Sequence, residues 1–303
     1  MESVQAREPQ LKTVDVNGTT LAYFEYGVAR EDTPTLLFVH ATGFHGRVWD
    51  YHIARFPQHH CIALEQRGHG RSESVAASNW LTYGEDQVAF VEALGLRQVI
   101  GISHSMGSFG MIMAAAQTEA FASLLLLDPT VFSPEIYASP SPHKIGADDA
   151  ELHPASKRRN SFASPQEMIE RLQGKGAFHL YHPDILRDYC VHGLTQNAAG
   201  DYRLLCDPRV EAQVYMTSHG SPEILDLVAN VAVPVVIVRA KSPSGDDVDF
   251  SASPTWAGLV ERFSAGTELH WSDCSHFIPM QRPDAVVELL AEAIGSWVVA
   301  QEN

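Results

Sequence analysis

Basic residues are scarce in this 303-residue chain, which has 21 Lys and Arg against 37 Asp and Glu and a formal net charge of −16. A surface of that sign repels nucleic-acid phosphates and anionic membranes, so we expect neither as a partner. Hydrophobic residues make up 45% of the chain and charged residues 19%, which is ordinary for a globular protein with a sizeable core.

Cysteine and long apolar runs are also lacking. Cys61, Cys190, Cys206 and Cys274 are scattered without CxxC spacing, so we expect free thiols in a reducing compartment. No apolar run approaches the roughly 20 residues of a membrane span, and the polar stretch 1–10 does not resemble a secretory signal. The sequence therefore predicts a cytoplasmic protein without a membrane span.

Metal-binding motifs are absent as well. The chain has 15 histidines, but none in an HExxH motif and none with cysteines at zinc-ligand spacing, so we expect no metal. The sequence leaves the oligomeric state open, with a homodimer among the alternatives.

The most informative stretch present is 98–116, which reads as a buried strand, a tight turn and a helix of small and apolar residues. The turn has the pattern Ser103-x-Ser105-x-Gly107. Small residues on both sides of Ser105 let strand and helix approach closely, and backbone strain at such a turn often accompanies function. The pattern is similar to a nucleophile elbow, with serine for its first glycine. A serine-rich turn without chemistry is the alternative interpretation.

Apolar runs alternate with helical patterns along the chain. Asn17-Gly18 supplies the positive φ angles of a two-residue hairpin turn. Beyond it, continuous apolar runs predict strands buried on both faces, as in a parallel sheet covered by helices. These runs are residues 34–40, 61–64, 98–104, 124–127 and 233–238.

Residues 131–219 differ in character from the chain on either side. Proline, serine and charged residues dominate the start, and amphipathic segments with a helical period follow at 165–172, 183–194 and 208–216. We predict a helical insertion over 131–219, on a core formed by residues 1–130 and 220–303. The core is completed by a helix at 255–263, a strand at 267–271 and a helix at 283–299.

In this order the pieces resemble the α/β-hydrolase family over nearly the whole chain. The resemblance is carried by the Ser105 turn, the insertion after the sixth strand and three short motifs: His40-Ala41-Thr42-Gly43, Arg67-Gly68-His69-Gly70-Arg71-Ser72 and Ser272-Asp273-Cys274-Ser275-His276. It implies an α/β fold with a mostly parallel, doubly wound eight-stranded sheet and a helical cap inserted after strand 6.

The resemblance also implies site residues. A serine hydroxyl needs an adjacent base to act as a nucleophile, so Ser105 would be activated by His276. The oxyanion of an acyl intermediate needs backbone N–H donors, which Met106 and, by resemblance, Thr42 would supply. Nearby candidates for the substrate pocket are Ala41, His45 and His104, with His104 also able to pack behind the nucleophile.

The carboxylate that orients His276 is open at this stage. The family usually places it after the seventh strand, where this chain has Arg239 to Ser242 and no carboxylate until Asp246. Our first choice is Asp128, at the end of strand six, and the alternative is Asp247. Asp246 and Asp249 rank behind both.

These residues predict a serine hydrolase that needs no cofactor. Its substrate would be a small to medium, fairly apolar molecule with an ester, thioester, lactone or ketone-adjacent C–C bond. Two alternatives remain: an acyltransferase, lyase or cyclase on the same fold, and a non-catalytic small-molecule binder. Ser105 argues against chemistry that requires a carboxylate nucleophile at this turn.

Overall fold

An eight-stranded, mostly parallel sheet forms the centre of the protein. The computed structural model describes residues 8–75, 77–139, 150–151, 153–244 and 250–302. Its strands are β1 Gln10–Val16, β2 Thr19–Tyr26, β3 Thr35–Val39, β4 Cys61–Leu64, β5 Val99–His104, β6 Phe121–Leu127, β7 Ser161–Phe162, β8 Leu194–Gln196, β9 Tyr202–Leu204, β10 Val235–Arg239 and β11 Gly266–His270. The order in the main sheet is β1-β2-β4-β3-β5-β6-β10-β11, with antiparallel pairing of β2 to both β1 and β4 and parallel pairing elsewhere.

Helices cover both faces of this sheet. The α-helices of the described residues are α1 Asp50–Ile53, α2 Leu81–Ala93, α3 Met106–Gln117, α4 Pro134–Ala138, α5 Pro165–Leu172, α6 Pro183–His192, α7 Pro208–Met216, α8 Ile224–Leu227, α9 Ile278–Gln281 and α10 Pro283–Gln301. One core cluster joins the sheet to α2, α3 and α8. A second cluster joins the opposite face to α1, α9 and α10. The predicted α/β class is confirmed.

The strands follow directly from the apolar runs. Every residue of β3, β4 and β5 is buried. A strand in the middle of a parallel sheet has helices on both faces, so it buries all of its side chains rather than every second one. The carboxyl ends of β3, β5, β6 and β10 consequently meet at one edge of the sheet, where their loops can share a site.

The segment between β6 and β10 contains more than the predicted helices. It carries α4 to α8, but also a small antiparallel sheet in the order β7-β9-β8. The helices at Pro165–Leu172 and Pro208–Met216 were predicted correctly, and each has proline in its first turn with a side chain capping its N-terminus. The short strands were missed because two or three residues are too few to show a period.

The helix predicted at 255–263 is wrong. Only Val260–Arg262 is helical there, as a 3₁₀ turn. The Thr255 hydroxyl donates to the carbonyl of Pro129 at 2.7 Å, and the N–H of Trp256 donates to the carbonyl of Val131 at 2.9 Å. Tertiary hydrogen bonds therefore replace the local helical ones. Within the described residues, no helix is both long and apolar enough to cross a membrane.

Two carboxylates influence each other electrostatically where α6 packs against the core. Asp188 on α6 is buried, and Asp50 at the start of α1 binds the Arg47 guanidinium, with 2.6 Å between Arg47 Nε and Asp50 Oδ2. Burial, reinforced by the negative charge of Asp50, raises the pKa of Asp188 to about 6. The folded protein therefore favours the protonated form of this carboxyl group.

We expect Asp188→Asn to raise the melting temperature at pH 8 and to give a smaller gain at pH 5. The unfolded carboxyl has a pKa near 3.9. Between roughly pH 4 and 6 the folded state thus binds more protons at this group than the unfolded state does. The contribution of Asp188 to the free energy of unfolding is therefore lost as the pH rises through 6. Differential scanning calorimetry at both pH values measures the effect.

Asp201→Asn is the matched control, because Asp201 is exposed in the turn between β8 and β9. Its change in melting temperature is expected to be the same at pH 5 and pH 8. A gain for Asp188→Asn that is equal at the two pH values would contradict the assignment.

Candidate active site

Ser105 lies in the turn between β5 and α3 with strained backbone angles, φ 57° and ψ −121°. Few non-glycine residues adopt a positive φ. The turn is possible because its neighbours are small: a Cβ on Gly107 would lie 2.6 Å from the carbonyl oxygen of His40 and 2.7 Å from that of Val39. Ser103 donates a hydrogen bond to Ser108 Oγ across the turn at 3.0 Å. The local sequence thus forces the Ser105 side chain away from the sheet.

His276, in the loop after β11, lies against this serine. Its Nε2 is 2.9 Å from Ser105 Oγ, and its Nδ1 is 2.6 Å from Asp128 Oδ2. A carboxylate only accepts hydrogen bonds, so Nδ1 carries the proton and Nε2 presents its lone pair to the serine hydroxyl. The Phe250 ring stacks on the imidazole, with 5.6 Å between centroids and 22° between planes.

Asp128 follows β6 directly, at a positive φ of 46°. It is completely buried, and its second carboxylate oxygen, Oδ1, accepts three hydrogen bonds. The donors are the N–H of Ala240 at 2.9 Å, the Ser253 hydroxyl at 2.6 Å and the Thr255 hydroxyl at 3.1 Å, whose single proton is shared with the Pro129 carbonyl at 2.7 Å. Burying a charge is costly unless it is paired in this way.

The structure therefore brings the first-choice acid, Asp128, to His276. The alternative Asp247 and its neighbours Asp246 and Asp249 lie outside the described residues. At the position after β10 where a carboxylate was expected, the backbone of Ala240 instead donates to the Asp128 side chain.

Thr42 and Met106 meet beside the serine. Thr42 lies in the loop after β3, and its hydroxyl donates to Met106 Sδ at 3.5 Å. Met106 opens α3, so its N–H has no acceptor within the helix and points along the positive end of the helix dipole. Both residues are buried.

Three predicted pocket residues lie behind the site. His45 donates from Nε2 to the carbonyl of Tyr189 at 3.1 Å, and burial lowers its pKa to about 3. His104 donates from Nε2 to the carbonyl of His276 at 2.8 Å, and burial lowers its pKa well below the usual range. Ala41 is buried too. Among the described residues, the wall of the large cavity next to Ser105 includes none of these three.

That cavity has a volume of about 640 Å³. Thr42, Ser105 and Thr130 form its end nearest the catalytic candidates. Its aromatic walls are Trp80, Phe132, Tyr215, Phe250 and Trp256, and further lining side chains are His153, Ser218, His219, Arg239 and Ser242. The Arg239 guanidinium is held by Glu268 in a two-point ion pair at 2.9 and 3.0 Å. The described wall therefore carries no uncompensated charge.

Sequence reasoning missed Thr130, Phe250, Ser253 and Thr255. Thr130 stands two residues after Asp128, and this proximity was the one signal available. The other three lie between β10 and β11, and no sequence motif there indicates that this loop packs against Asp128. Only the folded chain brings them to Asp128 and His276.

Comparison with known proteins gives a consistent result. The model of the alpha/beta hydrolase family matches residues 36–289. Lipase LipV of Mycobacterium tuberculosis is 26% identical over 263 residues, which cover 86% of this chain and 93% of the lipase.

Two solved structures are similar over nearly the full length. E-2-(acetamidomethylene)succinate hydrolase superimposes with a TM-score of 0.73 at 21% identity, over 95% of this chain and 100% of its own. A peroxisomal alpha-beta-hydrolase from Saccharomyces cerevisiae gives 0.76 at 18% identity, over 98% of this chain and 91% of its own. At these identities the likeness shows the fold. Since the family match runs from β3 into α10 and so spans most of the sequence, the chain belongs to the alpha/beta hydrolase family.

Proposed function

We propose that the protein is a serine hydrolase with Ser105 as nucleophile, His276 as general base and Asp128 as the acid that orients the base. The observation that carries the proposal is the unbroken series of hydrogen bonds from Asp128 Oδ2 through the imidazole to Ser105 Oγ. The series ends at a cavity large enough for a substrate. This arrangement supports the proposal, because catalytic triads share their geometry and roles rather than their sequence positions.

The first chemical step follows from the tautomer. His276 Nε2 accepts the proton of Ser105 as its oxygen attacks a substrate carbonyl carbon. The imidazolium that forms is stabilised by the Asp128 carboxylate, whose other oxygen is already held by three donors. His276 then passes the proton to the leaving oxygen, and an acyl-enzyme results.

The oxyanion of the tetrahedral intermediate needs fixed donors. We assign this role to the backbone N–H groups of Met106 and Thr42, which sit beside Ser105 at the start of α3 and in the loop after β3. Preorganised donors of this type contribute about 10²- to 10³-fold each to turnover. After the leaving group departs, His276 takes a proton from a water molecule whose oxygen attacks the acyl carbon. The bond from that carbon to Ser105 Oγ then breaks, Oγ takes the proton back from His276, and the acid product is released.

The cavity supports an uncharged, fairly apolar substrate of small to medium size. Its volume of about 640 Å³ lies in the usual range for small-molecule sites. Aromatic walls favour apolar groups, and the charge of Arg239, the charged side chain of the described wall, is compensated by Glu268. An ester, thioester or lactone fits this description. With a ketone-adjacent C–C bond, the same nucleophile attacks the ketone carbon, and the C–C bond breaks as the departing carbon takes the proton from His276.

Residues 131–219 are proposed to act as a cap on the core of 1–130 and 220–303. Phe132, His153 and Tyr215 belong to this segment and line the cavity opposite Ser105. We also propose a cytoplasmic location, supported by the buried free thiols of Cys190, Cys206 and Cys274.

Ser105→Ala is expected to abolish hydrolysis of p-nitrophenyl acetate and butyrate while the protein stays folded. It should also remove labelling by a fluorophosphonate, because the phosphonyl group is captured by the activated serine. Intact-protein mass spectrometry measures one adduct on the wild type and none on the variant. Ser296→Ala, an exposed position on α10, is the control and should retain both labelling and turnover.

The other outcomes separate the alternative functions. Labelling of Ser105 without ester turnover would favour acyl transfer, lyase or cyclase chemistry. No labelling of the wild type, or turnover by Ser105→Ala near the wild-type rate, would overturn the proposal and favour a small-molecule binder.

Asp128→Asn is expected to lower kcat by about 10⁴-fold with the fold intact. The three donors around Oδ1 would keep an amide oxygen in that place, so the amide NH₂ would face His276. Nδ1 must then accept, the proton moves to Nε2, and the base facing Ser105 is lost. Steady-state kinetics on p-nitrophenyl butyrate measures the loss.

Asp247→Asn provides the direct comparison for the acid and should keep kcat within a few-fold of wild type. The reverse result, in which Asp247→Asn is inactive and Asp128→Asn is active, would reassign the acid.

A further inference from the structure

We propose that Thr130 is a fourth catalytic residue, whose hydroxyl donates a hydrogen bond to Ser105 Oγ and stabilises charge on that oxygen while its bond to the acyl carbon forms and breaks. The inference rests on the proposed serine hydrolase function. It assigns a role to a residue that the triad and the oxyanion donors leave without one.

Thr130 contacts the serine at two points. Its Oγ1 lies 3.0 Å from Ser105 Oγ, and its N–H donates to the carbonyl of Ser105 at 3.3 Å. Thr130 is buried, yet it belongs to the cavity wall together with Ser105. Its hydroxyl therefore faces the place where an acyl group attached to the serine would lie.

Counting protons fixes the direction of the hydroxyl bond. The Ser105 proton is already directed to His276 Nε2, which holds the lone pair because Nδ1–H donates to Asp128. A serine hydroxyl has one proton and two lone pairs. The bond between the two hydroxyl groups is therefore donated by Thr130 and accepted by Ser105.

The turn that carries Thr130 is rigid. Asp128 has a positive φ, and the ring of Pro129 locks that residue's own φ. The carbonyl of Pro129 accepts hydrogen bonds from the Thr255 hydroxyl at 2.7 Å and from the Val131 N–H at 2.9 Å. Asp128 and Thr130 thus lie on the same rigid Asp-Pro-Thr turn. Hydrogen bonds run from Asp128 through His276 and Ser105 to Thr130, and the backbone of the turn completes the ring.

The chemical effect follows from where charge develops. In acylation, the proton of Ser105 goes to His276 and the Oγ electron pair forms the bond to the carbonyl carbon. In deacylation, the C–Oγ bond breaks, its electron pair returns to Oγ, and this oxygen takes a proton back from His276. Oγ carries partial negative charge in both transition states, and a hydrogen bond to a charged oxygen is stronger than one to a neutral hydroxyl. Thr130 therefore stabilises the transition states more than the resting enzyme.

Thr130→Val, which keeps the side-chain shape and removes the hydroxyl, is expected to lower kcat and kcat/KM for p-nitrophenyl butyrate by about 10- to 100-fold. KM should change little, because the bond is to the nucleophile rather than to the substrate. Thr130→Ser restores the donor and should recover most of the rate. The rate of fluorophosphonate labelling should fall in the valine variant and recover in the serine variant.

Thr118→Val is the matched control. Thr118 follows α3 at the end remote from Ser105, and its hydroxyl donates to the Ala114 carbonyl at 2.8 Å. The same chemical change should leave kcat unchanged there, and melting temperatures of all variants show whether each one folds.

Two results would overturn the proposal: wild-type kcat and labelling rate in Thr130→Val, or a Thr130→Ser variant as slow as Thr130→Val. The second result would mean that restoring a hydroxyl donor does not restore the rate, so that donation to Ser105 Oγ is not what Thr130 contributes. Failure of the proposed function is distinct, since wild-type protein would then resist the fluorophosphonate or Ser105→Ala would keep its activity.

Discussion

The site depends on one buried carboxylate, that of Asp128. An ionised group without exposure to water is stable only when its oxygens are satisfied. Here one oxygen receives the imidazole N–H of His276, and the other receives a backbone amide and two hydroxyl groups. The backbone amide and the two hydroxyl groups belong to the stretch after β10. The Asp128 side chain therefore joins three segments of the chain: the end of β6, the stretch after β10 and the loop after β11.

Two of the four described non-glycine residues with positive φ lie at this carboxylate and at the serine beside it. Ser105 and Asp128 both adopt positive φ angles although neither is glycine. Strained residues of this kind persist only where surrounding structure enforces them. The N–H of Ser105 is held by the carbonyl of Leu127 at 3.1 Å, and that of Asp128 by the carbonyl of Val238 at 2.7 Å. The parallel sheet, through hydrogen bonds at its carboxyl edge, therefore keeps Ser105 and Asp128 in register.

The site is polar at the edge of the sheet and aromatic in the cavity beyond it. The end at the sheet is polar, rigid and built from the loops after β3, β5 and β6. The cavity beyond it is aromatic and includes Phe132 and Tyr215 from the segment between β6 and β10. In a site of this kind, the chemistry is set by the sheet, whereas the substrate is selected by side chains that the sheet does not position.

The sequence by itself determined the fold class, because fully apolar strand runs separated by helices leave few arrangements other than a covered parallel sheet. It also determined the turn at Ser105, where the demand for small residues is local, and two helices of the insertion with their capping residues. The contact between Asp128 and His276 is not a local feature of the sequence. Asp128 and His276 are 148 positions apart, and the hydroxyl groups that hold the Asp128 carboxylate come from yet another loop, which was expected to be helical from Thr255 onward. Only the tertiary structure decided these features, because hydrogen bonds between distant segments replaced the local ones that a sequence pattern reports.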